Sequence, residues 1–108
     1  MQAKKFGKTF SERVVSLAQS IPKGRVTTYG DLARACGAGP MASQSITSIL
    51  WKAEQNGARG IPYHRIVYAS GKIWINDECR TKRMKLYKKE GINIDQKNRI
   101  LDFEETRI

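Results

Sequence analysis

Very few side chains in this sequence are thiols or imidazoles, the groups that most readily attack or pass a proton near neutral pH. They are two cysteines, Cys36 and Cys79, and a single histidine, His64. A thiolate held beside an imidazole would make a nucleophile. Neither cysteine stands near His64 in the chain, however, and the three lack the spacing of a structural zinc site. The reading is two idle thiols in a reducing compartment, with no metal and no cofactor. The louder chemical signal is charge. Twenty Lys and Arg against ten Asp and Glu leave a formal net charge of +10. That balance draws polyanions to the surface and speeds encounter with them, which points to nucleic acid. The blander reading is a soluble protein that merely happens to be basic. Membrane-surface binding ranks lower, because no basic helix faces a broad apolar stripe.

The elements that must position these groups fit one domain, residues 1–108. With 108 residues, 40% of them apolar, the chain can bury one modest core. No apolar run approaches the roughly 18 residues needed to cross a membrane. The start, Met1-Gln2-Ala3-Lys4-Lys5, is basic but lacks the hydrophobic stretch of a secretory signal. An intracellular protein is expected, cytoplasmic and nucleoid-associated in a prokaryote or nuclear in a eukaryote. Thr9-Phe10-Ser11-Glu12 has the form of a capping box. Phe10, Val14, Leu17, Ala18 and Ile21 then recur at helical spacing until Pro22-Lys23-Gly24. After an extended link, Thr28 can cap a second helix that runs to Cys36 and closes on Gly37.

A third helix is expected from about Met41 to Gln55. Ile46, Ile49, Leu50 and Ala53 share one face, with Gln44, Thr47, Ser48 and Trp51 opposite. Two short helices around a Gly-containing turn, the second polar outside, form the layout of a helix-turn-helix. An exposed tryptophan such as Trp51 on a basic protein suggests contact. Residues 64–68 and 73–75, around Ala69-Ser70-Gly71-Lys72, read as a small β-hairpin, a wing beside the helices. Residues 80–89 read as a basic helix ended by Gly91, either a solvated face or a set of phosphate contacts through Arg80, Lys82, Arg83 and Lys85. The expected class is therefore mainly α, a winged helix-turn-helix with a core over about residues 8–94. Residues 95–108 read as a tail that packs back irregularly.

Two segments carry a family resemblance. Ile21-Pro22-Lys23-Gly24-Arg25-Val26-Thr27-Thr28-Tyr29-Gly30-Asp31-Leu32-Ala33 resembles the start of the DNA-binding domain of alkylguanine-DNA alkyltransferases. Pro62-Tyr63-His64-Arg65-Ile66-Val67, then Ser70-Gly71-Lys72, resembles their active-site strand and the loop after it. Glu90-Gly91 sits where the family has Glu-Gly near its end. Those enzymes carry cysteine at the Tyr63 position, and its thiolate takes the alkyl group. A tyrosine hydroxyl, which ordinarily loses its proton only near pH 10, is a poor replacement. The pattern is similar to alkyltransferase-like proteins, which keep the fold, replace the cysteine, and bind alkylated guanine without repairing it.

The resemblance implies specific roles. Thr28 and Tyr29 meet the DNA, Tyr29 beside a flipped nucleotide's phosphate. The third helix reads the groove through Ser43, Gln44, Thr47, Ser48 and Trp51. Tyr63, His64 and Trp74 line a lesion pocket, and His64 and Glu90 match the pair that activates the thiolate in the enzymes. Arg65 matches a structural arginine. One departure cuts against flipping: the arginine that fills the vacated stack is Ser43 here, a neighbouring glycine position is Ile46, and no arginine occurs between Arg34 and Arg59. The expected partner is duplex DNA carrying alkylated guanine, bound by a monomer that flags it for other repair proteins. Three alternatives stay open: a degenerate member that binds DNA or a repair protein without flipping, an alkyltransferase with its nucleophile moved to Cys79 or Cys36, and a subunit that supplies DNA affinity to a repair endonuclease complex.

Overall fold

A computed structural model describes residues 9–108, with nothing stated for the side chains of Pro40 and Met41. The basic start Met1–Lys5 lies outside the described residues. The chain divides into two compact units, the first up to Ser20 together with Tyr29–Ile61, the second formed by Ile21–Thr28 and Pro62–Ile108.

The first unit is helical. Helix α1, Phe10–Gln19, opens on the expected capping box: Thr9 Oγ1 accepts from Glu12 N, and Thr9 N donates to the Glu12 carboxylate. These bonds satisfy donors that the first turn cannot use internally. Val14 and Ala18 face inward and are fully buried, whereas Leu17 is 37% exposed, so the apolar stripe is narrower than its spacing suggested. Helix α2, Tyr29–Ala35, buries Leu32 and Ala33. It closes on Gly37 at φ +88°, a left-handed position that glycine adopts without strain. There Gly37 N donates to Arg34 O and Ala38 N to Ala33 O.

The expected third helix is two elements. Pro40–Ser45 is a 3-10 segment, and only Ile46–Gln55 is helix α3. Ser43 and Gln44 therefore precede the α-helix instead of riding on its first turn. Ile46 and Leu50 are fully buried, and Ile49 and Ala53 partly so, as the 3.6-residue period demands. Helix α2, the turn and α3 make the helix-turn-helix.

The second unit is built on long-range pairing. Strand β1, Thr27–Thr28, lies parallel to β2, Ile66–Val67, with Thr27 opposite Ile66 and Thr28 opposite Val67. This corrects the expected hairpin. A small sheet exists, but residues 73–75 are not its return strand. Tyr68 N donates to Lys72 O and Gly71 N to Tyr68 O, which makes a tight turn. Ile73 N then donates to Asn98 O, and Lys72 bridges Arg99 antiparallel. The backbone groups a hairpin would have used are taken by β1 on one side and by the C-terminal segment on the other.

That segment is a structural part of the unit. Val26, Val67, Ile73, Tyr87, Ile92 and Ile100 form a core cluster, with Ile75, Met84, Ile94 and Phe103 packed on it. Val26 N donates to Thr106 O, and Ile108 N to Val26 O. Helix α4, Arg80–Lys89, is the basic helix expected, and α5 is the short Phe103–Thr106.

Candidate nucleic-acid interface and a buried His–Glu pair

In the second unit, residues 63–65 form a 3-10 turn leading into β2, which aims three consecutive side chains from one tight bend. Tyr63 is half-buried at its start, and His64 is only 8% exposed. His64 Nε2 lies 2.7 Å from Glu90 Oε2. Glu90, just past the end of α4, also accepts from Arg65 Nη2 at 2.7 Å and Arg65 Nε at 3.1 Å, and from Gly24 N at 3.0 Å. Arg65 Nη1 reaches Ile21 O, and the Tyr87 hydroxyl donates to His64 O. The His64 and Tyr87 rings meet edge to face, 5.8 Å between centroids.

The electrostatics follow from these partners. Burial alone would raise the Glu90 pKa, but Arg65, Gly24 N–H and His64 outweigh it and bring it down to about 2. Burial holds His64 below its ordinary value, and the attraction of Glu90 only partly opposes this. The pair near neutrality is thus an ionised Glu90 and a neutral His64, whose Nε2–H donates to the carboxylate. Such an arrangement orients an imidazole as a base through its other nitrogen. The side chain between Pro62 and His64 is the Tyr63 phenol, not a thiol.

The two cysteines are elsewhere. Cys36 is buried in the first unit, where burial pushes its thiol pKa up. Cys79 stands at the N-terminal boundary of α4 and donates its backbone N–H to Asn76 Oδ1. Among the described residues no group of three His, Cys, Asp or Glu could hold a metal, and no helix is long and apolar enough to cross a membrane.

The remaining residues named from the sequence divide between the units. Tyr29 starts α2 half-buried, and Gln44, Thr47 and Ser48 are exposed with Ser43 partly so. Trp51 is 56% exposed. Thr47 and Trp51 share a face of α3 at a four-residue spacing. Ser48 instead lines an open groove of about 1100 Å³ with Val15, Ile49 and Lys52. Thr28 needs correcting as a DNA contact: it is 1% exposed, because β1 pairs with β2 inside the second unit. Trp74 is 42% exposed. The Arg83 guanidinium lies 5.3 Å from its ring centroid, and Arg83 Nη1 donates to Trp74 O. Arg83 is thereby committed to Trp74, while Arg80, Lys82 and Lys85 stay exposed. Sequence reasoning missed Tyr87, 1% exposed and the anchor of α4; its one signal was an aromatic inside an otherwise cationic helix. It also missed Gly24 as a donor to Glu90, which no local pattern announces.

The family of the 6-O-methylguanine DNA methyltransferase DNA-binding domain matches this chain over residues 9–105. The chain belongs to this family. The match spans both compact units. A DNA base-flipping protein of Escherichia coli (strain K12) is 28% identical over 92 residues, covering 85% of this chain and 69% of the relative. Among solved structures, the fold is similar to S. pombe Atl1 in complex with damaged DNA containing O6-carboxymethylguanine. There the TM-score is 0.70 at 23% identity, over 92% of this chain and 94% of that one. It is also similar to the O6-methylguanine methyltransferase of Mycobacterium tuberculosis, with a TM-score of 0.56 at 27% identity, over 78% of this chain and 49% of the enzyme. Within this chain, the His64–Glu90 pair follows directly on Tyr63, and no cysteine lies between Cys36 and Cys79.

Proposed function

We propose that this protein binds duplex DNA, recognises alkylated guanine and holds it without taking the alkyl group. The observation that carries the reading is Tyr63 between Pro62 and His64-Arg65, with the His64–Glu90 pair at 2.7 Å behind it. A phenol is almost wholly protonated at neutral pH and is a far weaker nucleophile than a thiolate. Relocation of the nucleophile has little physical support: burial keeps Cys36 protonated, and Cys79 lacks the His-Arg context. Relatives named for base flipping and solved with damaged DNA support the choice of ligand. In this reading Tyr63 lines the space for the lesion, Tyr29 and the Thr47–Trp51 face of α3 meet the duplex, and the bound site is a mark for other repair proteins.

A second reading, duplex binding with no nucleotide extruded, is favoured by Ser43. Extrusion costs a few kcal/mol, and no arginine between Arg34 and Arg59 is available to fill the vacated stack. Titration of labelled duplexes with and without O6-methylguanine separates the two. About tenfold tighter binding to the damaged duplex, worth roughly 1.4 kcal/mol, is expected, and Tyr63→Ala should erase it. Intact-mass measurement after incubation should show no added methyl. Equal affinities would favour the second reading, and a methyl adduct lost in Cys79→Ser would replace both with an enzyme.

A further inference from the structure

Helix α4 breaks the usual rules for a stable surface helix. Its sequence, Arg80 to Lys89, contains six cations and no acid. Its first turn holds no acidic residue, and no side chain caps it. Cations there oppose the positive end of the helix dipole, and like charges three or four residues apart repel. What the helix gains from packing comes mainly from Tyr87, the one residue of α4 that is fully buried. Arg83 is turned toward Trp74, at 5.3 Å from its ring centroid. The remaining cations are exposed, and Lys82, Lys85 and Lys89 follow one another at three- and four-residue spacing along a single face, with Lys88 beside them. A local arrangement that costs stability without a packing return is expected where a partner supplies the compensation.

We propose that this lysine face is a docking surface for the phosphate backbone of duplex DNA, indifferent to sequence and to damage. It extends the DNA-binding reading above, and it assigns most of the salt-dependent affinity to α4. The assignment differs from the sequence-based set: Arg83 leaves it, engaged with Trp74, and Lys88 and Lys89 enter. Ammonium groups on flexible stems suit a regular row of phosphates, since they act as point charges and need no fixed acceptor geometry. Charge complementarity selects the occupant: thirteen Lys and Arg against seven Asp and Glu lie in the second unit, and α4 concentrates that excess on one element.

The test uses undamaged labelled duplex and the full-length protein, with affinity read by fluorescence anisotropy across a series of salt concentrations. Each lysine–phosphate contact removed should lower the log–log slope by about 0.9, so Lys82→Ala/Lys85→Ala/Lys89→Ala should lower it by about 2.7 and weaken binding roughly tenfold or more near 0.1 M salt. A control of equal charge, Lys23→Ala/Lys72→Ala/Lys97→Ala, should leave the slope nearly unchanged. Circular dichroism checks folding, and a triple glutamine variant replaces the alanine one if α4 frays. An unchanged slope in the α4 variant, or an equal drop in the control, overturns the proposal. The α4 variant should keep the preference for O6-methylguanine over guanine. The absence of that preference in the unmodified protein would sink the lesion reading while leaving a slope result for α4 standing.

Discussion

The two compact units solve the same problem with different physics. In the first, the buried positions are apolar: Val14, Ala18, Leu32, Ala33, Cys36, Ile46 and Leu50. Its described charges nearly cancel, with Arg13, Arg34, Lys52 and Arg59 against Glu12, Asp31 and Glu54. The second unit buries an ionic network, Glu90 with Arg65, His64 and Gly24, and carries most of the positive excess outside. Helical periodicity alone can hold a unit like the first, because each face is set by neighbours in sequence. The second depends on groups brought from residues 21–28, 62–67 and 87–108, which assemble an ionic network beside its apolar core through long-range contacts. In the proposed reading, the α3 face that meets the duplex and the lysine face of α4 lie on different elements. The helix α3 face presents Thr47 and Trp51 with only Lys52 as a cation, while α4 presents lysines with little to read a base.

The sharpest way to break the comparison is to remove the carboxylate. Glu90→Ala leaves the Arg65 guanidinium, whose side chain is 14% exposed, without its partner. Breaking such a pair from one side costs about 3–5 kcal/mol. Each unit holds one of the two tryptophans, Trp51 and Trp74, so urea unfolding followed in Trp51→Phe and Trp74→Phe backgrounds reports the units separately. The loss should be read by Trp74. Equal loss at Trp51 would mean that the two units unfold as one cooperative block, and the contrast would fail.

Acid provides a milder version. Glu90, at about 2, lies below its ordinary 4.5, so its contribution is complete above about pH 4.5 and is lost as pH falls toward 2. His64, held below 6.5, acts in the same direction: its neutral form is favoured by the fold, and stability declines as pH falls below 6.5. Glu90 alone should cost the second unit about 2 kcal/mol between pH 7 and pH 3, and His64 adds to that loss in the same direction. The Trp74-reported midpoint should fall more steeply than the Trp51-reported one. Parallel curves would show that the buried network is not what makes the units differ.

The smallest effect belongs to the first unit. Thr9→Ala removes the acceptor for Glu12 N and opens the capping box of α1. The expected cost is about 1 kcal/mol, seen by Trp51 and insensitive to pH above 5. A comparable shift at Trp74 would show that the cap is felt across the whole chain.

Much of the first unit was legible in the sequence. The capping box, the Val14 and Ala18 face, the Gly37 stop and the Ile46–Leu50 face follow from local spacing, because a helix's partners lie within four residues of each other. That a phenol and not a thiol stands between Pro62 and His64 was equally plain, since the chemistry of a side chain is written in its covalent structure. The charge, too, belongs to the sequence. Local pattern could not choose the partner of Ile66–Val67, because a two-residue strand carries no register of its own and pairs with whichever backbone the fold brings beside it. Nor could it see that Gly24, His64, Arg65 and Glu90 converge, or that Arg83 turns from solvent to Trp74. Residues 95–108 read as a polar tail because their apolar members, Ile100 and Phe103 among them, have neither helical nor strand periodicity. They reach the core only once Val26 and Ile73 present unsatisfied backbone groups to them. Those choices rest on contacts dozens of residues apart along the chain, and tertiary structure alone could make them.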